Sequence, residues 1–480
     1  MSKVSQLKPG PSLPLGYTSQ GKLITLTGQD FNRHVWIQGI SGSGKSSLLA
    51  AWAICLLRQR TPFILLDPHA DLCKLILTLL ASGDFFDNEK AYERLWYVDF
   101  NRSDSAIAFN VLNQPYSSHT IAANLLEVTK RAWPTTQATA LMDNIILASC
   151  FVLAENKMPL TSINRLVLDE GFRNLLVENI TDELVVDFFR SKFEGKSGGS
   201  GLTDSTLRRA FNISFTPALR HTLGQRDNRL NFRSIIDSGT SCLFNLGGLD
   251  DYSKRLCGCL LMVGIEQAFL SRADLPPEKR VPSHIIVDEF PLFSASGDSF
   301  SVILEQIRKY KGKLYLVNQT TSQLSAEVAG SLQNATSIIM KAGYEDSTWL
   351  AQRFVHPGEP QQESMFDMSW LFGPDTSNPF ENTKTLAEQK RVFESLKTGE
   401  AIVTINGQSV RVATPHLEPK DVPAKKLRAI EDTYAKKLLT PIRDIERGKQ
   451  APDLVVLPGG RSGNTAGAAP TKRVRRRLER

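Results

Sequence analysis

Eight consecutive residues, Gly39-Ile40-Ser41-Gly42-Ser43-Gly44-Lys45-Ser46, fit the phosphate-loop pattern G-x-x-x-x-G-K-[ST]. Glycines let the backbone wrap closely around phosphates. Successive N–H groups then turn inward as an anion nest at the start of the following helix. In such a loop Lys45 neutralises the β- and γ-phosphates, Ser46 places its hydroxyl on Mg²⁺, and the bound nucleotide contacts the run from Gly39 through Ser47. A chance match in an irregular loop is the bland alternative. It is disfavoured because the short apolar run Val35-Trp36-Ile37-Gln38 precedes the loop and a breaker-poor helical run, 46–58, follows it.

A second run, His284-Ile285-Ile286-Val287-Asp288-Glu289, is an apolar strand ending in two carboxylates. Hydrolysis of Mg-ATP needs that pair: Asp288 to hold Mg²⁺ through water, and Glu289 to orient or deprotonate the attacking water. Leu314-Tyr315-Leu316-Val317-Asn318-Gln319 is a strand ending in amides, and Gln319 beside the acidic strand would sense the γ-phosphate. Arg308, with Lys309 and Lys311, precedes that strand. A cation there can reach a neighbouring subunit's nucleotide and stabilise transition-state charge; the plainer reading is a solvated basic helix face. No N-K-x-D guanine-reading string, H-E-x-x-H zinc motif or G-x-S-x-G serine elbow occurs.

These residues need a scaffold of strands spaced by helices. Apolar runs at 35–38, 63–66, 95–98, 241–246, 284–287, 313–317, 337–340 and 401–405 read as strands. Their alternation with helical runs argues for an α/β fold on a mainly parallel twisted sheet, which together with the phosphate loop resembles a RecA-like P-loop core. Between 113 and 233 strand signals vanish and apolar residues recur at helical spacing, as in 121–133, 138–154, 162–169 and 182–193, so this stretch reads as an all-helical insertion. The expected organisation is a flexible lead-in at 1–20, a core in two parts at 21–112 and 234–415, the insertion at 113–233, a helical segment at 416–447 and a disordered basic tail at 448–480. A single helix over 424–445 is expected within that segment, and a surface loop over 357–385.

The chain has 480 residues, 41% hydrophobic and 22% charged, the composition of an ordinary globular protein of two or three domains. Apolar runs reach only about ten residues, short of the roughly 18 that a membrane span needs, and no signal peptide is evident. Six scattered cysteines suggest reduced, mostly buried thiols in a cytoplasmic protein. The net charge of +7 is uneven: residues 421–480 hold 15 Lys or Arg against 7 Asp or Glu, so the remainder is nearly neutral. Lys472, Arg473, Arg475, Arg476, Arg477 and Arg480 form a run able to touch nucleic acid or an anionic surface, or to remain a solvated tail.

Taken together the motifs resemble the HerA–FtsK superfamily of DNA-pumping ATPases, closest to its type IV secretion and conjugative coupling-protein branch. The resemblance covers roughly 22–415. It rests on His34 through Gly42 leading into the phosphate loop, on Asp67-Pro68-His69-Ala70-Asp71-Leu72, and on Ser241-Cys242-Leu243-Phe244-Asn245-Leu246-Gly247-Gly248. Asp288-Glu289-Phe290, Gln319 and Leu396-Lys397-Thr398-Gly399-Glu400-Ala401 complete it. A glycine is more usual in the family where Ala70 stands. The resemblance implies ATP and Mg²⁺ as cofactors, a homo-hexameric ring with ATP at subunit interfaces, and an arginine lent across each interface. Arg308 fits that role best, with Arg255 and Arg229 as alternatives. DNA is the implied partner, held by its phosphates in the ring pore and by the basic tail. The loops at 294–301 and around Lys196 are candidates to face it. A membrane-channel, nuclease or relaxase partner is also implied. The chain departs from membrane-bound coupling proteins in showing no transmembrane helices, and from HerA-type enzymes in having only some 30 residues ahead of the first expected strand. The expected protein is cytoplasmic, or peripheral at the inner membrane through a partner. The expected function is an ATPase that translocates DNA; the alternative is a secretion-energising or protein-remodelling ATPase that does not act on DNA.

Overall fold

Seven buried runs form the parallel centre of one sheet in the computed structural model, which describes residues 12–27, 33–132, 140–193, 216–293, 303, 304, 306–354, 379, 380, 383 and 385–450. They are Val35–Gln38 (β3), Phe63–Asp67 (β4), Leu95–Asp99 (β5), Ser241–Asn245 (β7), Ser283–Val287 (β8), Gly312–Asn318 (β9) and Thr336–Ile339 (β10). Except in β5 every residue of these strands is buried, because helices cover both faces of a parallel sheet. The antiparallel strands Leu13–Tyr17 (β1), Leu23–Leu26 (β2), Glu400–Ile405 (β11) and Gln408–Ala413 (β12) extend one side. The order is β2-β1-β12-β11-β10-β3-β9-β8-β4-β7-β5, an α/β, RecA-like arrangement. Ser105–Ile107 (β6) and Leu439–Pro441 (β13) pair separately.

The helices are Lys45–Arg58 (α1), Asp71–Ser82 (α2), Ala91–Arg94 (α3), Ser118–Ala132 (α4), Ala140–Glu155 (α5), Ile163–Leu168 (α6), Glu170–Val177 (α7) and Glu183–Phe193 (α8). Pro217–Leu223 (α9), Phe232–Ser238 (α10), Asp251–Leu270 (α11), Ala326–Ser331 (α12) and Tyr344–Phe354 (α13) follow. Leu386–Glu394 (α14), Ala424–Leu438 (α15) and Ile442–Gln450 (α16) end the series. Between β6 and β7 the described residues are helices and connections, with one isolated bridge from Phe109 to Asn228. Among the described residues, α11 with its 3-10 extension to Asp274 is the one helix long and apolar enough to cross a membrane. Here it is a core helix, with Leu256, Leu260, Leu261, Ile265 and Phe269 buried.

Two expectations fail. Residues 13–17 are not a flexible lead-in but a strand: Leu13 and Leu15 are buried, and Trp52 Nε1 of α1 donates to the Pro14 carbonyl at 2.6 Å. The Pro and Gly in this run conceal it, since both are poor strand formers. The single helix over 424–445 is broken at β13, because Pro441 lacks an N–H and restricts Thr440 before it to extended backbone. The break pairs Leu439 with Ile107, while α15 lays Tyr434 against Tyr92 and Tyr97 beside β5, covering the last strand of the sheet. The basic run at 472–480, the candidate loops at 294–301 and around Lys196, and most of 357–385 lie outside the described residues.

Candidate active site

Because the seven central strands run the same way, their C-terminal ends line one edge of the sheet, where ligands of open α/β sheets bind. β9 lies between β3 and β8, and β4 lies beyond β8. The phosphate loop, Gln319, the pair Asp288-Glu289 and Asp67 therefore stand in a row.

The loop is shaped by its glycines. Gly44 has φ +112°, closed to most side chains, and caps α1 with no side-chain hydrogen bond. The first turn of α1 contains no acid, so its N–H groups remain available to an anion. A Cβ on Gly39 would stand 2.7 Å from Ser43 Oγ and 2.8 Å from Met340 Cβ. Ile40 N donates to the Lys341 carbonyl at 2.9 Å, fixing the loop to the end of β10. On the other side the turn before β11 straps the loop: Thr398 Oγ1 donates to the Gly42 carbonyl at 3.2 Å and Gly399 N to the Ser43 carbonyl at 2.9 Å. Thr398 and Gly399 thus occupy the Gly42 and Ser43 carbonyls, while the Ser43 N–H turns to the Ile40 carbonyl at 3.2 Å.

Lys45 donates to the carbonyls of Gly39 and Ile40 at 2.6 and 3.0 Å, which folds the ammonium over the loop. Burial lowers its pKa, opposed by the charges of Asp288 and Glu289. Ser41 and Ser46 are exposed, Ser47 is half-buried, and Ser43 is buried. Asp288 N donates to the Leu66 carbonyl at 3.1 Å, placing Asp288 beside Asp67. Burial pushes the Asp288 carboxyl up to about 7, with the charges of Asp67 and Glu289 adding to the shift and Lys45 opposing it. Asp67 accepts from the N–H groups of His69, Ala70 and Cys73 at 2.9, 3.0 and 2.8 Å, closing the turn into α2. Ala70 takes the left-handed φ of +73° that makes glycine usual there.

Glu289 is 6% exposed and holds φ +50°, a conformation that costs a non-glycine residue about 1 kcal/mol or more. Gln319 Nε2 donates to its Oε2 at 3.1 Å. A second amide, Gln323 Nε2, donates to Oε1. The sequence reading missed Gln323; the Thr320-x-x-Gln323 capping-box spacing just after the sensor position is the signal that could have found it.

Arg308 does not join this group. It is exposed, just before the N-terminal end of β9. The neighbouring residues tie it to the opposite sheet edge: Leu314 N donates to His34 Nδ1 at 3.0 Å, and His34 Nε2 donates to the Leu304 carbonyl at 2.5 Å. Seven residues of β9 separate Arg308 from Gln319, about 20 Å of strand. Arg308 therefore stands away from the phosphate loop of its own chain. Arg255 is half-buried in the second turn of α11, and Arg229 is exposed after the bridge at Asn228.

No family model matches the chain, and no curated protein matches it. Solved structures match its fold. The bacterial conjugative coupling protein TrwBdeltaN70, in its unbound monoclinic form, gives a TM-score of 0.57 at 14% identity, over 85% of this chain and 92% of that one. Plasmid coupling protein TrwB in complex with ADP and Mg²⁺ gives 0.56 at 16% identity, over 85% and 91%. The same protein with the ATP analogue ADPNP gives 0.52 at 14% identity, over 82% and 88%. The fold is therefore that of the conjugative coupling-protein structures, over most of both chains.

Proposed function

We propose that this chain is an ATP-hydrolysing motor that moves DNA, acting as a homo-hexamer with nucleotide at its subunit interfaces. The observation that carries the ATPase reading is the row of groups on one sheet edge: an anion-ready helix start, Lys45 in the field of Asp288 and Glu289, and Gln319 bonded to Glu289. The TrwB structures hold ADP with Mg²⁺ or an ATP analogue, and the donors here suit the same group. Ser46 offers an exposed hydroxyl, and Asp288 offers a carboxyl crowded by two other acids, which a divalent cation would relieve. Mg²⁺, when bound, offsets the charge developing on the phosphate oxygens. Lys45 and the α1 N-terminus hold the phosphates, Glu289 orients or deprotonates the attacking water, and Gln319 senses the γ-phosphate. Arg308 serves the neighbouring subunit's site. DNA is gripped by its phosphates in the pore and by the basic run at 472–480; the likeness to conjugative coupling proteins supports that partner. The motor works in the cytoplasm or against a membrane channel through a partner.

The test is steady-state ATP hydrolysis with and without linear double-stranded and single-stranded DNA, at two salt concentrations, with Lys45→Ala as control. Salt-sensitive stimulation by DNA and loss of turnover in Lys45→Ala are expected. Hydrolysis indifferent to every form of DNA would transfer the motor to a protein substrate, as in a secretion-energising ATPase.

A further inference from the structure

The carboxylate assigned to water activation is held by two amides, on different oxygens. The terminal torsion of a glutamate is soft, so one donor leaves the carboxylate plane free to turn; donors on both oxygens fix it. The direction of the Gln323 amide is itself determined. Its Oε1 accepts from the backbone N–H groups of Gln319 and Thr320, each at 3.1 Å. Reversing the amide would set its NH₂ against two donors, so the nitrogen is the end that meets Glu289. Thr320 and Gln323 together form a capping box over the short 3-10 turn Thr321–Gln323. That turn is moored to the first turn of α13: Thr321 donates from N and Oγ1 to Asp346 Oδ1 at 2.7 and 2.6 Å, and Asp346 is buried. Glu289, with its left-handed φ, has no backbone preference that would hold it in place alone.

Resting on the ATPase reading above, we propose that Gln323 is a positioning residue for that reaction: its locked amide sets the plane of the Glu289 carboxylate from which water is oriented. The plainer role, capping the turn, uses only the amide oxygen. The two roles therefore separate in one substitution. Gln323→Glu keeps an acceptor for the capping box, since Glu serves there as well as Gln, but it removes the donor and sets a second carboxylate against Glu289. Gln323→Ala removes both.

The experiment measures ATP turnover, ATP affinity and melting temperature for the wild-type chain, Gln323→Glu, Gln323→Ala and Lys45→Ala. In Gln323→Glu, kcat should fall about tenfold or more while KM and ATP affinity hold, a share of the 10²–10⁴ that a positioned base contributes. Gln323→Ala should lose at least as much. If like charges loosen the Gln323→Glu fold, adding Glu289→Gln rebuilds an amide–carboxylate pair and should restore the melting temperature. Failure of that exchange to restore it would overturn the contact. A Gln323→Glu rate within about twofold of wild type, with Gln323→Ala impaired, would make Gln323 a cap alone and overturn the proposal, leaving the ATPase reading intact. A wild-type chain that hydrolyses no ATP and binds it no better than Lys45→Ala would overturn the ATPase reading, and the proposal with it.

Discussion

Gly258 lies within α11 with the ring of Phe293 laid over it, and Gly258→Ala sets two effects of known size against each other. In a helix interior alanine is better than glycine by about 1 kcal/mol. Yet an added Cβ would stand 2.1 Å from Cε1 and 2.3 Å from Cδ1 of Phe293. Carbon atoms prefer about 3.5–4.0 Å, so the ring must retreat by more than about 1 Å. It has little room: Phe293 is 1% exposed, and its carbonyl accepts from Cys259 Sγ at 3.8 Å. Overpacking of this kind costs about 1–3 kcal/mol, so crowding should outweigh propensity, with a net loss of up to about 2 kcal/mol. The displaced ring belongs to the 3-10 turn Phe290–Phe293 directly after Glu289, so kcat should fall too. Gly330 in α12 is the control: an added Cβ there meets nothing within 4 Å, and Gly330→Ala should gain up to about 1 kcal/mol from propensity alone. Urea unfolding midpoints and ATP turnover of the two variants decide the matter. A Gly258→Ala midpoint at or above that of Gly330→Ala would refute the close-contact reasoning.

Other outcomes follow from the same geometry. Burial pushes Glu266 from 4.5 up to about 7, opposed by the charge of Arg131 at 3.6 Å and reinforced by that of Glu127. A raised folded pKa contributes stability that is complete below about pH 4.5 and is lost as pH rises through about 7. Glu266→Gln should therefore gain on wild type from pH 5 to pH 8 by at most about 3 kcal/mol, and equal urea midpoint differences at both pH values would contradict this. Thr398→Val removes one neutral bond to the Gly42 carbonyl; at about 0.5–1.5 kcal/mol it should weaken ATP binding roughly two- to tenfold with kcat little changed, as read by nucleotide titration. Arg308→Ala and Lys45→Ala should each abolish turnover alone, whereas mixed chains recover part of it if Arg308 acts across the interface. No recovery on mixing, with assembly intact, would count against a role in trans.

Much of the sheet was legible because buried parallel strands are short unbroken apolar runs closed by polar or turn residues. Phe63-Ile64-Leu65-Leu66 ends at Asp67-Pro68, and Ser241 to Leu246 ends at Gly247-Gly248. β12 was not read, although Val410 and Val412 alternate with exposed Arg411, the pattern of a half-buried antiparallel strand. β1 stayed hidden because its stability comes from packing on α1, which local propensity does not record.

The chemical inventory was a property of the sequence by itself. The glycine spacing before Lys45 and Ser46 dictates a backbone able to wrap phosphates, and an apolar run ending in Asp288-Glu289 dictates acids at a strand end. Both are local, since a few adjacent residues settle the conformation. Which strand ends meet was decided only in three dimensions. Placing β9 between β3 and β8 brings Gln319 to Glu289, while the same strand carries Arg308 to the far edge. Strand order depends on which crossovers bury both faces of the sheet, a balance over the whole core. Neither that order nor the hold of Gln323 on Glu289 can be read from neighbours in the chain.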